Sequence, residues 1–370
     1  MRQGGFMSEE KKGTAKKASS KAKRIALIVA ASLVGVSAAS VLSAITIYDS
    51  VFERYERPDY ALYPGLYSYE RVADRLPRET FRIPSGDVML QAYYYPSENA
   101  RGLIVLAHGF HAGADDYLPL ILAMVEREYA VLTYDVTGVY SSEGESVVGM
   151  CQSLRDLDCV LTYAGREERF SAMAKFVIGH SWGGYAASSV LALHSEIQGA
   201  ALLAPMNNGS QMILEKGEQY AGKVAYSAKP IFDTYQRILF GNYVKYNGVV
   251  GINSTDAPIL IAQGVDDTVI TPDGQSITAH LPELTNPNIT LYWGKGSQGS
   301  HTGIWHSTEA EEYARVVKSQ LKLRELELER ALNDEEKKEF YATVDHELYS
   351  GVNEELMDLI VQTFEKGLNS

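Results

Sequence analysis

Cysteine is scarce in this chain of 370 residues, which contains only Cys151 and Cys159. Both lie in one segment with helical periodicity, and eight residues of helix span about 12 Å, which is too far for a disulfide. Neither cysteine has the neighbouring ligands that a metal site needs. We interpret both as buried thiols, so the sequence contains no disulfide framework and its cysteines do not reveal the compartment.

Positive charge is also scarce outside one short region. The chain has a net charge of −13, but residues 1–24 carry +6, so the remainder carries −19. An acidic body without a basic stripe argues against nucleic acid as a partner. We interpret the polar, basic and low-complexity residues 1–24 as a disordered tail.

Charged residues are absent from the stretch 25–48, which is rich in Ala, Val, Leu, Ile and Ser. This stretch is long enough to cross a bilayer, and the basic residues before it predict a cytoplasmic tail with the rest of the chain outside. A cleaved signal peptide is the alternative, because Val-Ser-Ala at 36–38 and Leu-Ser-Ala at 42–44 resemble cleavage sites. A signal peptide usually has a shorter apolar run. That favours an uncleaved, single-pass anchor in the cell membrane over a secreted protein.

Apolar strands alternate with helical segments after residue 80, whereas residues 49–80 form a linker rich in tyrosine and arginine. A hairpin is predicted around the turn at 85–87. Continuous apolar runs predict six further strands, at 102–107, 130–135, 176–178, 198–204, 258–263 and 289–293. This alternation predicts an α/β fold, a mostly parallel sheet with helices on both faces and an antiparallel edge. We expect the domain to cover 81–321, and a charged helical extension over 322–370 to pack on the domain or on a partner.

A glycine-rich turn follows one of these strands, with the sequence Gly-His-Ser-Trp-Gly at 179–183. Strand, tight turn and helix with a serine at the turn form the nucleophile-elbow pattern G-x-S-x-G. A serine on such a strained turn leaves no room for a Cβ two positions before or after it. Its hydroxyl is a poor nucleophile unless a base takes the proton and a third group orients the base. Ser181 is therefore a candidate nucleophile that needs two partners.

The candidate acid follows the strand at 258–263. Two carboxylates are adjacent there, and the spacing from Gly264 favours Asp267 over Asp266. Because the carboxyl ends of parallel strands lie at one edge of a sheet, we expect the acid to lie near Ser181.

The candidate base follows the strand at 289–293. His301 comes after a glycine-rich loop, whereas His306 lies two residues before Thr308, a predicted helix cap paired with Glu311. We therefore favour His301 over His306. The chain order of serine, aspartate and histidine is the order found in α/β-hydrolases.

The chain resembles the α/β-hydrolase superfamily over roughly residues 80–320, in particular serine hydrolases similar to monoacylglycerol lipases and proline iminopeptidases. The superfamily motif His-Gly-x is matched at 108–110, and the acid motif Gly-x-x-Asp-x-x-Val is matched at 264–270, with Ile270 at the Val position. The loop Asp-x-Arg-Gly-x-Gly-x-Ser is matched at 135–142, where Thr137 and Tyr140 depart from the usual Arg and Gly. We expect these departures to affect loop packing and substrate shape only.

The resemblance implies an oxyanion hole made of the backbone N–H groups of Phe110 and Trp182. We interpret His108 as a structural residue of that loop, and His111 and His180 as pocket-wall residues. Residues 205–257 exceed a plain connection and occupy the place of the superfamily's helical lid. Aromatic residues in this lid suggest an apolar or acyl substrate.

The sequence thus predicts a membrane-anchored serine hydrolase that cleaves a carboxylic ester through an acyl-enzyme. Ser181 is the nucleophile, His301 the general base and Asp267 the orienting acid, and no metal or organic cofactor is required. A peptidase or amidase is the alternative within the class, for which Glu215 or Glu218 could bind a free amine. The alternative from another class is a non-catalytic binding domain at the membrane. The intact set of catalytic residues argues against it.

Overall fold

One sheet of eight strands forms the centre of the protein. The structure is a computed structural model, which describes residue 39 and residues 41–65 and 68–369. The strands are β1 (Glu79–Ser85), β2 (Val88–Tyr95), β3 (Leu103–Ala107), β4 (Ala130–Tyr134), β5 (Lys175–His180), β6 (Ile197–Leu203), β7 (Ile259–Gly264) and β8 (Ile289–Gly294). Each strand predicted from an apolar run is present.

The strands lie in the order β1-β2-β4-β3-β5-β6-β7-β8. The β1–β2 and β2–β4 pairs are antiparallel, and every other pair is parallel. The predicted mostly parallel sheet with an antiparallel edge is therefore confirmed. Because β3, β5, β7 and β8 run in the same direction, the loops after them meet at one edge of the sheet.

Helices cover both faces of this sheet. A helix over 41–51 (α1) is followed by α2 (Leu118–Glu126), α3 (Gln152–Arg166), α4 (Glu168–Ser171), α5 (Trp182–Ser189), α6 (Gly209–Ala221), α7 (Lys229–Phe240), α8 (Gly248–Ile252), α9 (Thr308–Glu327), α10 (Asp334–Tyr341), α11 (His346–Tyr349) and α12 (Glu354–Leu368). The α3 helix begins only at Gln152, and Val148 before it has a φ of 65°, outside the right-handed helical region. The α9 helix is capped by Ser307 rather than Thr308, since the Ser307 side chain accepts the N–H of Ala310.

Two apolar clusters fill the space between the sheet and its helices. Val105, Val177 and the apolar face of α3 belong to one cluster, whereas Ile104, Ile178 and the apolar face of α12 belong to the other. Neighbouring residues of one strand thus belong to different clusters, because successive side chains of a strand point to opposite faces.

The localisation predicted from residues 25–48 is wrong. Residues 1–38 and residue 40 lie outside the described residues, and in the part of the chain that is described no helix is long and apolar enough to cross a membrane. The described end of the stretch belongs to α1 and lies against the domain. Tyr48 is 1% exposed, and its ring packs on Phe52 and Phe232. A side chain buried by protein does not face lipid, so the single-pass anchor is not supported.

The linker over 49–80 packs on the domain through charged side chains. Asp115 is 1% exposed and forms ion pairs with Arg57 at 2.5 Å and Arg78 at 2.7 Å. Arg54 donates hydrogen bonds to the carbonyl oxygens of Tyr140, Ser142 and Gly144. Because a buried carboxylate needs its partners, these contacts hold the linker in place.

The C-terminal helix α12 packs on the domain. Asn353 caps its start, since the Asn353 side chain accepts the N–H of Leu356. The ring of Phe364 is fully buried and stacks on Phe176 of β5, with 4.5 Å between the ring centroids. Of the two alternatives for the extension, packing on the domain therefore accounts for the apolar face of α12.

Helices α6 to α8 form the insertion between β6 and β7, where the lid was predicted. Tyr243, after α7, donates a hydrogen bond to Asp158 of α3 at 2.5 Å. The same carboxyl group contacts the imidazole of His194 at 2.8 Å, and Glu196 contacts the other ring nitrogen at 2.7 Å. This cluster ties the insertion to the domain.

Replacement of His194 by glutamine should destabilise the protein more at pH 5.5 than at pH 8.5. Burial lowers the pKa of the His194 imidazole, but the hydrogen bonds with Asp158 and Glu196 outweigh burial and raise the pKa above its ordinary value. A raised pKa stabilises the fold below the unfolded-state pKa, and this stabilisation is lost as pH rises through the folded-state value.

The expected difference between His194→Gln and wild type at pH 5.5 is about 1–2 kcal/mol in the free energy of unfolding, measured with urea. His280→Gln is the control, because His280 pairs with the more exposed Glu283 and such pairs contribute little. Equal destabilisation of His194→Gln at both pH values would contradict the role of the protonated imidazole.

Candidate active site

Ser181 lies on a sharp turn between β5 and α5. Its φ of 57° and ψ of −113° are values that residues other than glycine rarely adopt. A Cβ on Gly179 would collide with the carbonyl oxygen of Gly183, and a Cβ on Gly183 would collide with the carbonyl oxygen of Ala107. The elbow geometry predicted for 179–183 is therefore confirmed, together with the reason for its two glycines.

Asp267 and His301 form a hydrogen-bonded pair at the ends of β7 and β8. The Nδ1–H of His301 donates to Oδ2 of Asp267 at 2.7 Å, and the N–H groups of Val269 and Ile270 donate to Oδ1 at 2.8 and 2.9 Å. Burial raises the pKa of the Asp267 carboxyl, but the hydrogen bond from His301 and the two backbone donors outweigh it, so the pKa lies below its usual value. The carboxyl group is therefore a stable anion that holds the imidazole proton on Nδ1.

The two rival residues lie outside this pair. Asp266 is exposed, and its N–H donates to the carbonyl oxygen of Gly299. His306 contacts the carboxyl group of Glu311 at 3.0 Å, beside the start of α9. The structure thus brings Asp267 and His301 together, and it leaves Asp266 and His306 with other partners.

The elbow lies next to this pair. The ring of His180, which directly precedes Ser181, lies 4.9 Å from the ring of His301. Within the described ranges, neither the Ser181 hydroxyl nor Nε2 of His301 has a hydrogen-bond partner. Hydrogen bonds between catalytic groups commonly tighten only when substrate is bound.

Phe110 and Trp182, the two residues predicted to donate to an oxyanion, lie in contact with each other. Their rings are perpendicular, with 5.3 Å between centroids. Among residues 41–65 and 68–369, the backbone N–H groups of Phe110 and Trp182 have no acceptor. His108 shapes the loop before them, because its Nδ1–H donates to the carbonyl oxygen of Gly109 while its Nε2 accepts the N–H of Val136.

His180 connects the three loops of the site, a role that the sequence analysis missed. Its Nε2–H donates to the carbonyl oxygen of His301 at 3.1 Å, so its Nδ1 accepts from the Tyr117 hydroxyl at 2.7 Å. The Tyr117 oxygen in turn accepts the N–H of Gly109 at 2.9 Å. Burial, followed by the neighbouring His301, lowers the pKa of His180 to about 3, so the ring is neutral at physiological pH. In the sequence, the one indication of this role is that His180 is a polar residue at the end of an apolar run.

Acidic, histidine and cysteine side chains do not converge on a metal site in the described part of the chain, where no group of three or more such residues could hold an ion. The expectation that no metal or cofactor is required remains a prediction.

The order of the sheet, the serine elbow after β5 and the acid and histidine after β7 and β8 define an α/β-hydrolase by fold. Residues 98–250 match a protein-family model described as serine aminopeptidase, S33. No curated protein is similar enough to this chain to count as a match.

Solved structures with the same fold include an esterase from Pyrococcus furiosus, which is 18% identical to this chain. One crystal form has a TM-score of 0.52, with 73% of this chain and 98% of that chain covered, and a second has a TM-score of 0.50, with 69% and 93% covered. An acylaminoacyl peptidase from Pyrococcus horikoshii is 17% identical over 64% of this chain and 40% of that chain, with a TM-score of 0.47. At 18% identity the likeness to the esterase shows the fold alone.

Proposed function

We propose that this protein is a serine hydrolase that cleaves a carboxylic ester through an acyl-enzyme. Ser181 is the nucleophile, His301 the general base and Asp267 the residue that orients the imidazole. The observation that carries the proposal is the 2.7 Å hydrogen bond between a buried Asp267 and Nδ1 of His301, beside the serine elbow. It supports a neutral imidazole whose Nε2 is free to accept a proton.

The reaction would proceed in two halves. His301 Nε2 takes the proton of Ser181 as its oxygen attacks the ester carbonyl carbon, and the imidazolium then gives that proton to the departing alcohol oxygen. In the second half, His301 takes a proton from water, whose oxygen attacks the acyl carbon. Collapse of this intermediate releases the acid and returns the proton to Ser181.

The negative oxygen of each tetrahedral intermediate would be bound by the N–H groups of Phe110 and Trp182. Both groups are unpaired among the described residues, and Trp182 opens α5, where the partial positive charge of the helix also favours an anion. Donors already in place gain strength as charge develops on the oxygen. In this proposal the insertion over 205–257 is a lid.

Peptide or amide hydrolysis is a second candidate, which the family match over 98–250 favours. The same three side chains would act, and Glu215 or Glu218 of α6 would bind a free amine. Glu215 accepts a hydrogen bond from Thr271 at 3.3 Å, on the loop after Asp267. Turnover of p-nitrophenyl esters compared with aminoacyl p-nitroanilides will distinguish the two activities.

Fluorophosphonate labelling tests the proposed nucleophile directly. We expect one adduct per chain in the wild type, located at Ser181 by peptide mass mapping, because only an activated serine reacts rapidly with this reagent. The adduct should be absent in Ser181→Ala and retained in Ser171→Ala, a change at an exposed serine. A folded wild type that is not labelled would favour a non-catalytic binding domain.

Tyr117→Phe should lower kcat by about 10- to 100-fold, because it removes the acceptor of the Gly109 N–H and the donor to His180. KM should change by less than about threefold, since the hydroxyl acts through neighbouring groups. Tyr129→Phe is the matched control, as its buried hydroxyl has no partner among the described residues. Steady-state kinetics check both variants, and an unchanged kcat in Tyr117→Phe would contradict the positioning role.

A further inference from the structure

A cavity of about 760 Å³ opens beside the candidate catalytic residues, a volume typical of small-molecule sites. Its lining includes His180, which precedes Ser181, Thr302, which follows His301, and His111, which follows Phe110. The lining therefore includes the chain neighbours of the nucleophile, the base and an oxyanion donor, and the ring of His180 lies 4.9 Å from the ring of His301.

The outer wall of this cavity comes from segments outside the residues that match the family model. The linker contributes seven residues between positions 54 and 65 to the lining, and α11 contributes Tyr349. His346 of α11 donates to the carbonyl oxygen of Pro64 at 3.0 Å, and Lys338 of α10 pairs with Asp59 at 3.0 Å. The linker and the C-terminal extension thus hold each other in place, and the wall is a built part of the protein.

Aromatic rings dominate the lining. Among the described residues that line the cavity there is no Leu, Ile, Val, Met or Phe, whereas six tyrosine and tryptophan side chains take part, namely Tyr55, Tyr63, Tyr117, Tyr140, Trp305 and Tyr349. Rings pack best on other planar groups, with offset-stacked or edge-to-face geometry. A long flexible acyl chain would find few matching aliphatic side chains here.

Charged groups that line the cavity already have partners. Arg54 pairs with Glu56 at 2.6 Å, and His306 pairs with Glu311. Asp116 accepts hydrogen bonds from the hydroxyls of Tyr60 and Tyr140 at 2.9 and 2.8 Å. An anionic ligand would therefore find no unpaired arginine or lysine in the lining, and a cationic ligand would compete with the two tyrosine hydroxyls for Asp116, so burying either charge would be costly.

The tyrosine hydroxyls of the lining are neutral, and only some of them remain for a ligand. The hydroxyl of Tyr140 is used by Asp116, and the hydroxyl of Tyr117 is used by His180 and Gly109. The hydroxyls of Tyr55, Tyr63 and Tyr349 have no partner within the described residues. The lining therefore suits a ring that carries at most a few neutral polar substituents.

We propose that this cavity binds an uncharged aromatic ring of the ester substrate, carried by either its acyl part or its alcohol part. This inference rests on the proposed hydrolase function, and it names the substrate class of that same site. Stacking on one aromatic side chain strengthens binding by a factor of about 2 to 10 beyond the burial of apolar area.

Matched ester pairs test the inference. Ethyl 3-phenylpropanoate and ethyl 3-cyclohexylpropanoate place the ring in the acyl part, whereas 2-phenylethyl acetate and 2-cyclohexylethyl acetate place it in the alcohol part. We expect kcat/KM for the phenyl member of one pair to exceed that for the cyclohexyl member by about fivefold or more. The pair that shows the preference identifies the part of the ester that occupies the cavity.

Variants of the wall connect this preference to the cavity. Tyr63→Ala, a change at a half-exposed side chain, and Tyr349→Leu should each reduce the phenyl preference at least threefold. Tyr163→Ala is the control, because Tyr163 lines a separate cavity of about 270 Å³, and it should retain the preference. Ratios near one in both wild-type pairs, or a preference unchanged in both wall variants, would overturn the inference.

Binding to Ser181→Ala separates the two proposals. We expect calorimetry to detect binding of the preferred phenyl ester, ethyl 3-phenylpropanoate or 2-phenylethyl acetate, to this variant, and at least threefold weaker binding when Tyr63→Ala is added. Binding without hydrolysis by the wild type would support the cavity and contradict the hydrolase. Hydrolysis of all four esters without a ring preference would support the hydrolase and contradict the cavity.

Discussion

His301→Ala should lower kcat/KM for a p-nitrophenyl ester by about 10⁴- to 10⁶-fold, because the Ser181 proton then has no acceptor. We propose His301 for this role because its contact with Asp267 fixes the proton on Nδ1 and leaves Nε2 unpaired among the described residues. Residual activity would come from the oxyanion donors and from substrate binding. Steady-state kinetics and fluorophosphonate labelling of the same preparation give two independent measurements.

His306→Gln is the matched comparison for His301. Its imidazole contacts Glu311 rather than Asp267, and it lines the cavity. We expect its kcat to stay within about threefold of wild type while KM rises by less than about tenfold. A variant of His306 that loses activity as completely as His301→Ala would reverse the assignment of the base.

Asp267→Asn should lower kcat by about 10³- to 10⁴-fold, the second-largest effect that we predict. An amide lacks the charge that stabilises the imidazolium, and it can favour the wrong tautomer of His301. Both carboxylate oxygens of Asp267 accept hydrogen bonds, including those from Val269 and Gln263. The NH₂ group of an asparagine at this position would therefore face hydrogen-bond donors, to which it cannot bond. KM should change little, since the carboxyl group is buried away from solvent.

Asp266→Asn controls for the loss of a neighbouring negative charge. Asp266 is exposed, and its backbone rather than its carboxyl group forms the contact with Gly299. We expect kcat within about twofold of wild type. If both variants lost activity equally, the charge of the loop as a whole, and not the contact with His301, would be responsible.

Much of the catalytic arrangement could be predicted from local patterns. The apolar runs predicted every strand of the parallel sheet, because a strand buried on both faces must be continuously apolar. The spacing from Gly264 selected Asp267, since the tight turn after β7 brings only one of the two adjacent carboxyl groups to His301. The role of His180 could not be predicted, because its partners Tyr117 and His301 are far away in the sequence.

The hydropathy of residues 25–48 led to the wrong localisation for a physical reason. An apolar segment is equally suited to lipid and to a protein interior. Tyr48 lies in the protein interior, where its ring contacts Phe52 and Phe232 of the insertion. Sequence alone contains no signal that distinguishes the two environments for this segment.

The sequence by itself determined the α/β fold, the serine elbow and the order of the candidate acid and base. Each strand, turn or motif behind these predictions consists of residues that are close together in the chain, and their order is read directly along it. Tertiary structure decided which distant segments contact one another and what shape the cavity has. Contacts such as Arg57 with Asp115, and His346 with the carbonyl oxygen of Pro64, join distant segments whose residues have no local pattern. These contacts place Tyr63 and Tyr349 around one cavity, which forms only because distant segments pack together.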